Sequence, residues 1–307
     1  MNDLFLAFAH SLTALTLCIV VGYICRRKQM LNDIHTKGMA DLLVKVTMPC
    51  TVFMSLMRPF SRALLAESMA TFFITGIIYI LGSYLGLWLA KLMKATPGER
   101  QGWQFGTGFG NVAFMGIPVV MAVFGDEGLI YVSMASISFN LLAFTFGSRI
   151  FDNAPKTIHL KSLFLNTPSM PAIAVGFILF LTGFRLPNPL EGGISLIGGM
   201  TAPISMILIG TILAKQSLRE SFTDFRILPA AVAKLIFIPL LSLVGLSFVI
   251  PNPLMLSVIV TLMAMPPAAI TVIFAEQYDA DAPASAKFVV VCTVLSVITV
   301  PIISLLM

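Results

Sequence analysis

The sequence predicts an all-α membrane protein: ten transmembrane helices arranged as two inverted five-helix repeats, with broken crossover helices at spans 4 and 9. Three observations carry this. The 307 residues are 58% hydrophobic and only 11% charged, with a mean hydropathy of +0.96, whereas soluble chains are about 45–50% apolar and about 25% charged. The apolar residues fall into ten runs long enough to cross a hydrocarbon core, which takes roughly 20 residues. The chain also resembles itself at a period near 150 residues, with proline and glycine interruptions at matching places.

The runs are 4–25, 37–57, 66–93, 101–124, 128–150, 166–184, 189–214, 226–248, 254–277 and 285–306. Span 1 lacks a basic leader and a small-residue cleavage site, so it is expected to be a true span; His10 within it reads as a helix contact. In span 2, Asp41 stands one turn before Lys45 and is expected to pair with it. The basic residues outside the spans sort by side. Arg26, Arg27, Lys28, Lys37, Lys91, Lys94, Arg100, Arg149, Lys156, Lys161, Lys215, Arg219, Arg226 and Lys287 lie on one side, and Arg58, Arg62 and Arg185 on the other. Fourteen against three places the first side in the cytoplasm and both termini outside, in a multi-pass protein of the cell membrane. The formal net charge of +5 therefore reads as cytoplasmic loops and not as nucleic-acid binding. Cys18, Cys25, Cys50 and Cys292 show no ligand spacing and read as buried thiols.

The repeat divides the chain into 1–150, a short cytoplasmic linker at 151–165, and 166–307. Pro49 of span 2 matches Pro203 of span 7. Pro118 of span 4 matches Pro267 of span 9, and each of these breaks is followed by a short helix ending in a polar turn, FGDEG at 124–128 and QYDAD at 277–281. Five spans per half invert the second half relative to the first, and inverted repeats with interrupted helices characterise secondary transporters.

The candidate site follows from those breaks. Proline has no N–H and clashes with the preceding turn, so the segments 106–118 and 263–268 are expected to unwind. Each break exposes a half-helix N-terminus with a partial charge of about +0.5, and two such ends form an anion site. Asn111 lies in the first break and reads as a ligand contact. Asn140 in span 5 is either a second contact or a helix–helix hydrogen bond. Met115, Pro118, Met265, Pro266 and Pro267 line the breaks. Lys234 lies eight residues into span 8, roughly 12 Å from its cytoplasmic end; it either snorkels or serves as a counter-charge or titrating group at the site. Acidic residues in spans are nearly absent, Glu276, Asp279 and Asp281 clustering at the end of span 9, so no strong sodium site is expected. Carbonyls at the breaks are the alternative cation ligands.

At these residues the sequence resembles the auxin efflux carrier family. The motifs are GNVAFMGIPVV at 110–120, KLIFIPLLSLVG at 234–245 and MAMPPAAITVIFAEQYDAD at 263–281, with DLLVKVTMPC at 41–50 and PISMILIGTIL at 203–213. The resemblance covers essentially the whole chain. It implies a fold like that of bile-acid sodium symporters, a scaffold of spans 1, 2, 6 and 7, and a moving transport domain of spans 3–5 and 8–10. It further implies elevator motion and organic-anion substrates, mono- or dicarboxylates. The carboxylate that coordinates sodium in bile-acid symporters has no match beside Pro266 and Pro267, which points to proton coupling over sodium.

The partners expected are thus a small organic anion, membrane lipid and, by analogy with such folds, a second copy in a homodimer; no cofactor, metal or nucleic acid is expected. The competing readings are a bile-acid-type sodium symporter, a passive channel and an intramembrane enzyme. GFGN at 108–111 only weakly resembles the Gly-x-Gly-Asp of membrane aspartyl proteases, since asparagine is neither acid nor base. A channel would call for rings of pore charges, and no nucleotide-binding motif links the chain to ATP.

Overall fold

The structure, a computed structural model, describes residues 2–57, 61–151, 169–215, 221–222 and 224–307, without the side chains of 2–12 and 276–277. Arg58, Lys156, Lys161, Arg219, nearly all of the linker at 151–165, and the side chains of His10 and Glu276 therefore lie outside the described residues. What is described is helical. Five helical stretches are long and apolar enough to cross a membrane (Arg62–Leu92, Val112–Phe151, Asn188–Lys215, Phe225–Ser247 and Ala282–Ser304), and Ser169–Thr182 and Pro253–Ala264 are shorter apolar helices. This is the make-up of a multi-pass membrane protein.

In chain order the helices are α1 (Asn2–Arg27), α2 (Asp33–Leu42), α3 (Met48–Ser55), α4 (Arg62–Leu92), α5 (Pro97–Gly108), α6 (Ile117–Leu142), α7 (Ser148–Phe151), α8 (Ser169–Thr182), α9 (Asn188–Gly199), α10 (Thr201–Lys215), α11 (Leu228–Val232), α12 (Ile238–Ser247), α13 (Pro253–Ala264), α14 (Ile270–Gln277) and α15 (Ala282–Ser304). Their starts follow capping chemistry. Asn32 caps α2 by accepting from the His35 N–H at 3.0 Å, and Thr96 with Glu99 forms a capping box just before Pro97.

Four π turns interrupt the helices, at Leu43–Thr47, Val112–Gly116, Ala143–Gly147 and Ala233–Phe237. Three of them end two residues before a proline, Pro49, Pro118 or Pro239. The missing proline N–H leaves a carbonyl without its helical partner, and the widened turn accommodates the loss. Gly125, at φ 62° and ψ −160°, divides α6 into two helical pieces. Asp279 takes φ 55° after α14. Both polar turns expected after the breaks therefore use left-handed backbone.

The chain forms two compact units, Met1–Thr71 with Ala113–Ile137 and His159–Lys215, and Phe72–Val112 with Ser138–Ile158 and Gln216–Met307. Each draws on both halves of the sequence. In the first unit α1 crosses α10 at two glycines: a Cβ on Gly22 would collide with the Ile207 carbonyl, and one on Gly210 with the Ile19 carbonyl. Small residues permit such close helix approach where lipid supplies no hydrophobic drive. Gly176 of α8 likewise faces Leu56 and the Phe53 carbonyl, the latter 3.4 Å from a Cβ added there. Gly22 precedes Gly176 by 154 residues, and Phe53 precedes Ile207 by the same 154. Each contact is thus the counterpart of the other with the halves exchanged. Thr51 Oγ1 joins α3 to α9 and α10, donating to the Gly198 carbonyl at 2.8 Å and lying 2.7 Å from Thr201 Oγ1. Lys45 pairs with Asp41 at 3.1 Å, as the one-turn spacing predicts.

In the second unit α5, α11 and α15 enclose a core of Trp103, Leu235, Phe288, Val291 and Cys292. Phe73, Ile77, Leu81, Tyr84 and Trp88 of α4 recur every three or four residues and are exposed. A large exposed apolar stripe on a helix of this length is a surface for lipid. All four cysteines are free thiols, but only Cys292 is buried; Cys18, Cys25 and Cys50 are partly exposed, against the expectation from their apolar runs.

Candidate functional site

The two breaks meet in the second unit. α5 stops at Gly108, and Phe109 takes extended backbone at φ −98° and ψ 103°. α13 stops at Ala264, and Met265 is extended at φ −64° and ψ 143°. The two unwound segments run antiparallel, with Gly110 opposite Pro267. Asn111 N–H donates to the Pro266 carbonyl at 2.7 Å, and Ala268 N–H donates to the Phe109 carbonyl at 3.0 Å. Buried backbone polar groups freed from a helix need partners; here each break supplies those of the other.

This changes one expectation. The sequence offers the N–H groups of the breaks to an anion, but those of Asn111 and Ala268 are engaged by the bridge itself. The basic group beside the bridge is instead a side chain. Lys234, in the π turn Ala233–Phe237, is fully buried, and no hydrogen-bond acceptor reaches its Nζ among the described residues. The Nζ lies 3.0 Å from the point where a Cβ of Gly110 would project, with the Leu262 and Met265 carbonyl oxygens 3.2 and 3.3 Å from that same point. Of the two readings open in the sequence, snorkelling is therefore excluded: the side chain turns inward to the bridge. Its titratable neighbour is the thiol of Cys292.

Asn111 is nearly buried and Met265, Pro266 and Pro267 are buried, so the structure brings these four together with Lys234. Asn140 is half-buried at the end of α6. Its neighbour Phe139 packs edge-on against Phe109, at 5.6 Å between ring centroids. Met115 and Pro118 are buried within the first unit.

Sequence reading missed several groups around the bridge. Tyr79 OH, Ser83 Oγ, Thr107 Oγ1 and Thr261 Oγ1 are buried without partners among the described residues. Tyr79 also stacks on Phe109 at 5.5 Å. Ser83 lies against Gly108, where a Cβ would collide with it. Hydroxyls on apolar helices carry no spacing signal. The importance of Gly110 was visible as part of a four-glycine stretch, though not its opposition to Lys234.

A second concavity, of about 540 Å³, lies in the first unit and is lined by Met54, Met57, Asp126, Asn188 and Glu191 among others. Its carboxylates would repel an anion. Another of about 540 Å³, between α4 and α12, is almost wholly aliphatic.

Residues 7–304 match the family model described as membrane transport protein. The relatives include an uncharacterized transporter of Methanothermobacter thermautotrophicus, 26% identical, with 97% of this chain and 98% of the relative covered. A second, from Methanocaldococcus jannaschii, is 24% identical over 92% of this chain and 93% of its own length. A third, from Escherichia coli K12, is 23% identical with 96% of each covered.

Proposed function

The chain belongs to the membrane transport protein family, the auxin efflux carrier family, and from that premise we propose that it is a secondary carrier of a small organic anion, a carboxylate, working by elevator-type alternating access. One observation carries the anion: a fully buried lysine without a partner among the described residues, set against the bridge between two broken helices. A buried cation left unpaired costs several kcal/mol, and a carboxylate at Lys234 would relieve that cost. Asn111, whose main chain is fixed by the bridge, would orient the carboxylate with its side-chain amide. Met265 and the prolines would bound the apolar part of the substrate.

In this reading the chain crosses the cell membrane ten times as two inverted five-helix repeats, with both termini outside. The reciprocal contacts Gly22–Ile207 and Gly176–Phe53, each residue 154 positions from its counterpart, support the repeat. A proton gradient would drive the carrier, since no carboxylate stands beside Pro266 and Pro267 to hold sodium. The family and the relatives are transporters, which supports transport over catalysis.

The test is uptake of malonate, malate, oxalate and indole-acetate into proteoliposomes, with and without a pH gradient, for wild type and Asn111→Ala. Saturable uptake of one acid, steepened by the gradient and lost in the variant, is the expected result. Uptake indifferent to Asn111 would remove it from the site, and absence of any anion flux would redirect the search to neutral or cationic solutes.

A further inference from the structure

We infer that the carrier is an exchanger: it moves far more readily loaded than empty, because the unpartnered ammonium of Lys234 is neutralised only by the bound anion. The inference rests on the carboxylate reading above and adds the mode of transport.

Among the described residues, the surroundings of Lys234 contain no carboxylate that would take over the role of the anion. Its side chain is fully buried, and no acceptor bonds its Nζ among the described residues. The helices α11, α12 and α13 carry no acidic residue, nor does α15. On α5 the one carboxylate is Glu99, at the opposite end of the helix from Gly108, and Arg226 Nη2 donates to it at 2.8 Å. The helix-end carbonyls of Leu262 and Met265 lie near the same side of Gly110 as the ammonium. They offer partial negative charge, but neither bonds to it. The bridge engages the Phe109 and Pro266 carbonyls by two hydrogen bonds, and the Leu262 carbonyl accepts from the Met265 N–H at 3.3 Å.

An empty site thus leaves one unit of positive charge uncompensated inside the membrane. Moving it through the change of access exposes that charge to the most apolar stage of the cycle, where an unpaired ion is costliest. A loaded site presents an ammonium–carboxylate pair, which is nearly neutral for a monocarboxylate or for a dicarboxylate that carries one proton. The return step of the empty carrier is then slow. Net uptake, which requires that step, lags behind exchange, which does not.

Proteoliposomes holding wild type, Lys234→Met or Lys234→Arg would be loaded either with unlabelled acid or with inert buffer. Entry of radiolabelled malonate, malate, oxalate and indole-acetate would be timed with the membrane potential clamped. Wild type should exchange its acid at least about tenfold faster than it takes it up net. Lys234→Arg should keep that ratio, and Lys234→Met, which removes the unpaired charge, should bring it near one even if both rates fall. The pH gradient of the reading above should steepen net uptake without bringing it to the exchange rate; equal net and exchange rates in wild type, with or without the gradient, would overturn the inference. So would a Lys234→Met variant that slows both rates and leaves the ratio unchanged, as a merely structural lysine would. If wild type moves no acid in either format, the carboxylate reading itself falls and the exchange mode with it.

Discussion

The main-chain N–H of Asn111 donates to the carbonyl of Pro266 at 2.7 Å, across 155 positions of sequence. With the reciprocal bond from Ala268 to Phe109, it ties two broken helices at one place and leaves Gly110 facing Lys234.

Gly110 should tolerate no side chain. A Cβ there would press on the Lys234 Nζ at 3.0 Å and on two carbonyl oxygens at 3.2 and 3.3 Å. Gly110→Ala is expected to reduce transport about tenfold or more and to cost about 1–3 kcal/mol of stability through overpacking. Uptake assays beside thermal unfolding in detergent measure both. Wild-type values in each would show that the bridge has slack at this point.

The glycine crossing of α1 and α10 should depend on backbone contact. Gly210→Val would drive a branched side chain into the Ile19 carbonyl and is expected to lower the unfolding midpoint by several degrees. Gly245→Val, where an added Cβ meets nothing within 4 Å, serves as the control and should leave the midpoint nearly unchanged.

Thr51 holds three helices by one hydroxyl, which contacts the carbonyls of Thr47 and Gly198 and the Thr201 hydroxyl. Thr51→Val keeps the shape and removes the hydroxyl, and should cost about 0.6–1.7 kcal/mol, the range for polar contacts between membrane helices. Thr51→Ser should recover most of the loss. Unfolding of the two variants under identical lipid conditions distinguishes them.

The charged end of the second unit should weaken in acid. The Arg226 side chain, hydrogen-bonded to Asp224, holds that carboxyl below its ordinary range. A lowered carboxyl contributes stability above its unfolded pKa, near 3.9, and that contribution is lost as pH falls through the lower folded value. The pair is partly exposed, with Arg226 44% accessible, so its worth is about 0.2–1 kcal/mol. Arg226→Gln, which also breaks the Arg226–Glu99 pair, should lower stability at pH 7 by at least that amount and by less at pH 3. An equal loss at both values would mean that Arg226 acts by packing alone.

Much of this was legible in the linear chain. Hydropathy marks the apolar helices, because partition into lipid depends mainly on the composition of each segment. Gly108 and Gly110 and the prolines at 266 and 267 mark where helices stop, but helix resumes at Val112 and runs across Pro118, where the sequence predicts unwinding to continue. The Asp41–Lys45 pair follows from one-turn spacing alone.

The direction of Lys234 does not follow from such local rules. A lysine eight residues into a span either snorkels or turns inward, and its neighbours in sequence are apolar in both cases. The choice depends on Gly110 and Leu262, which reach the same place only when α5, α13 and the π turn at Ala233–Phe237 are packed. The availability of the break N–H groups likewise depends on whether a second extended strand arrives to accept them. By itself the sequence determined that the chain is built of apolar helices and where two of them break, since those are properties of single segments. The tertiary structure alone decided which backbone groups satisfy one another and which charge is left without a partner, since pairing across more than a hundred residues exists only once the chain has folded.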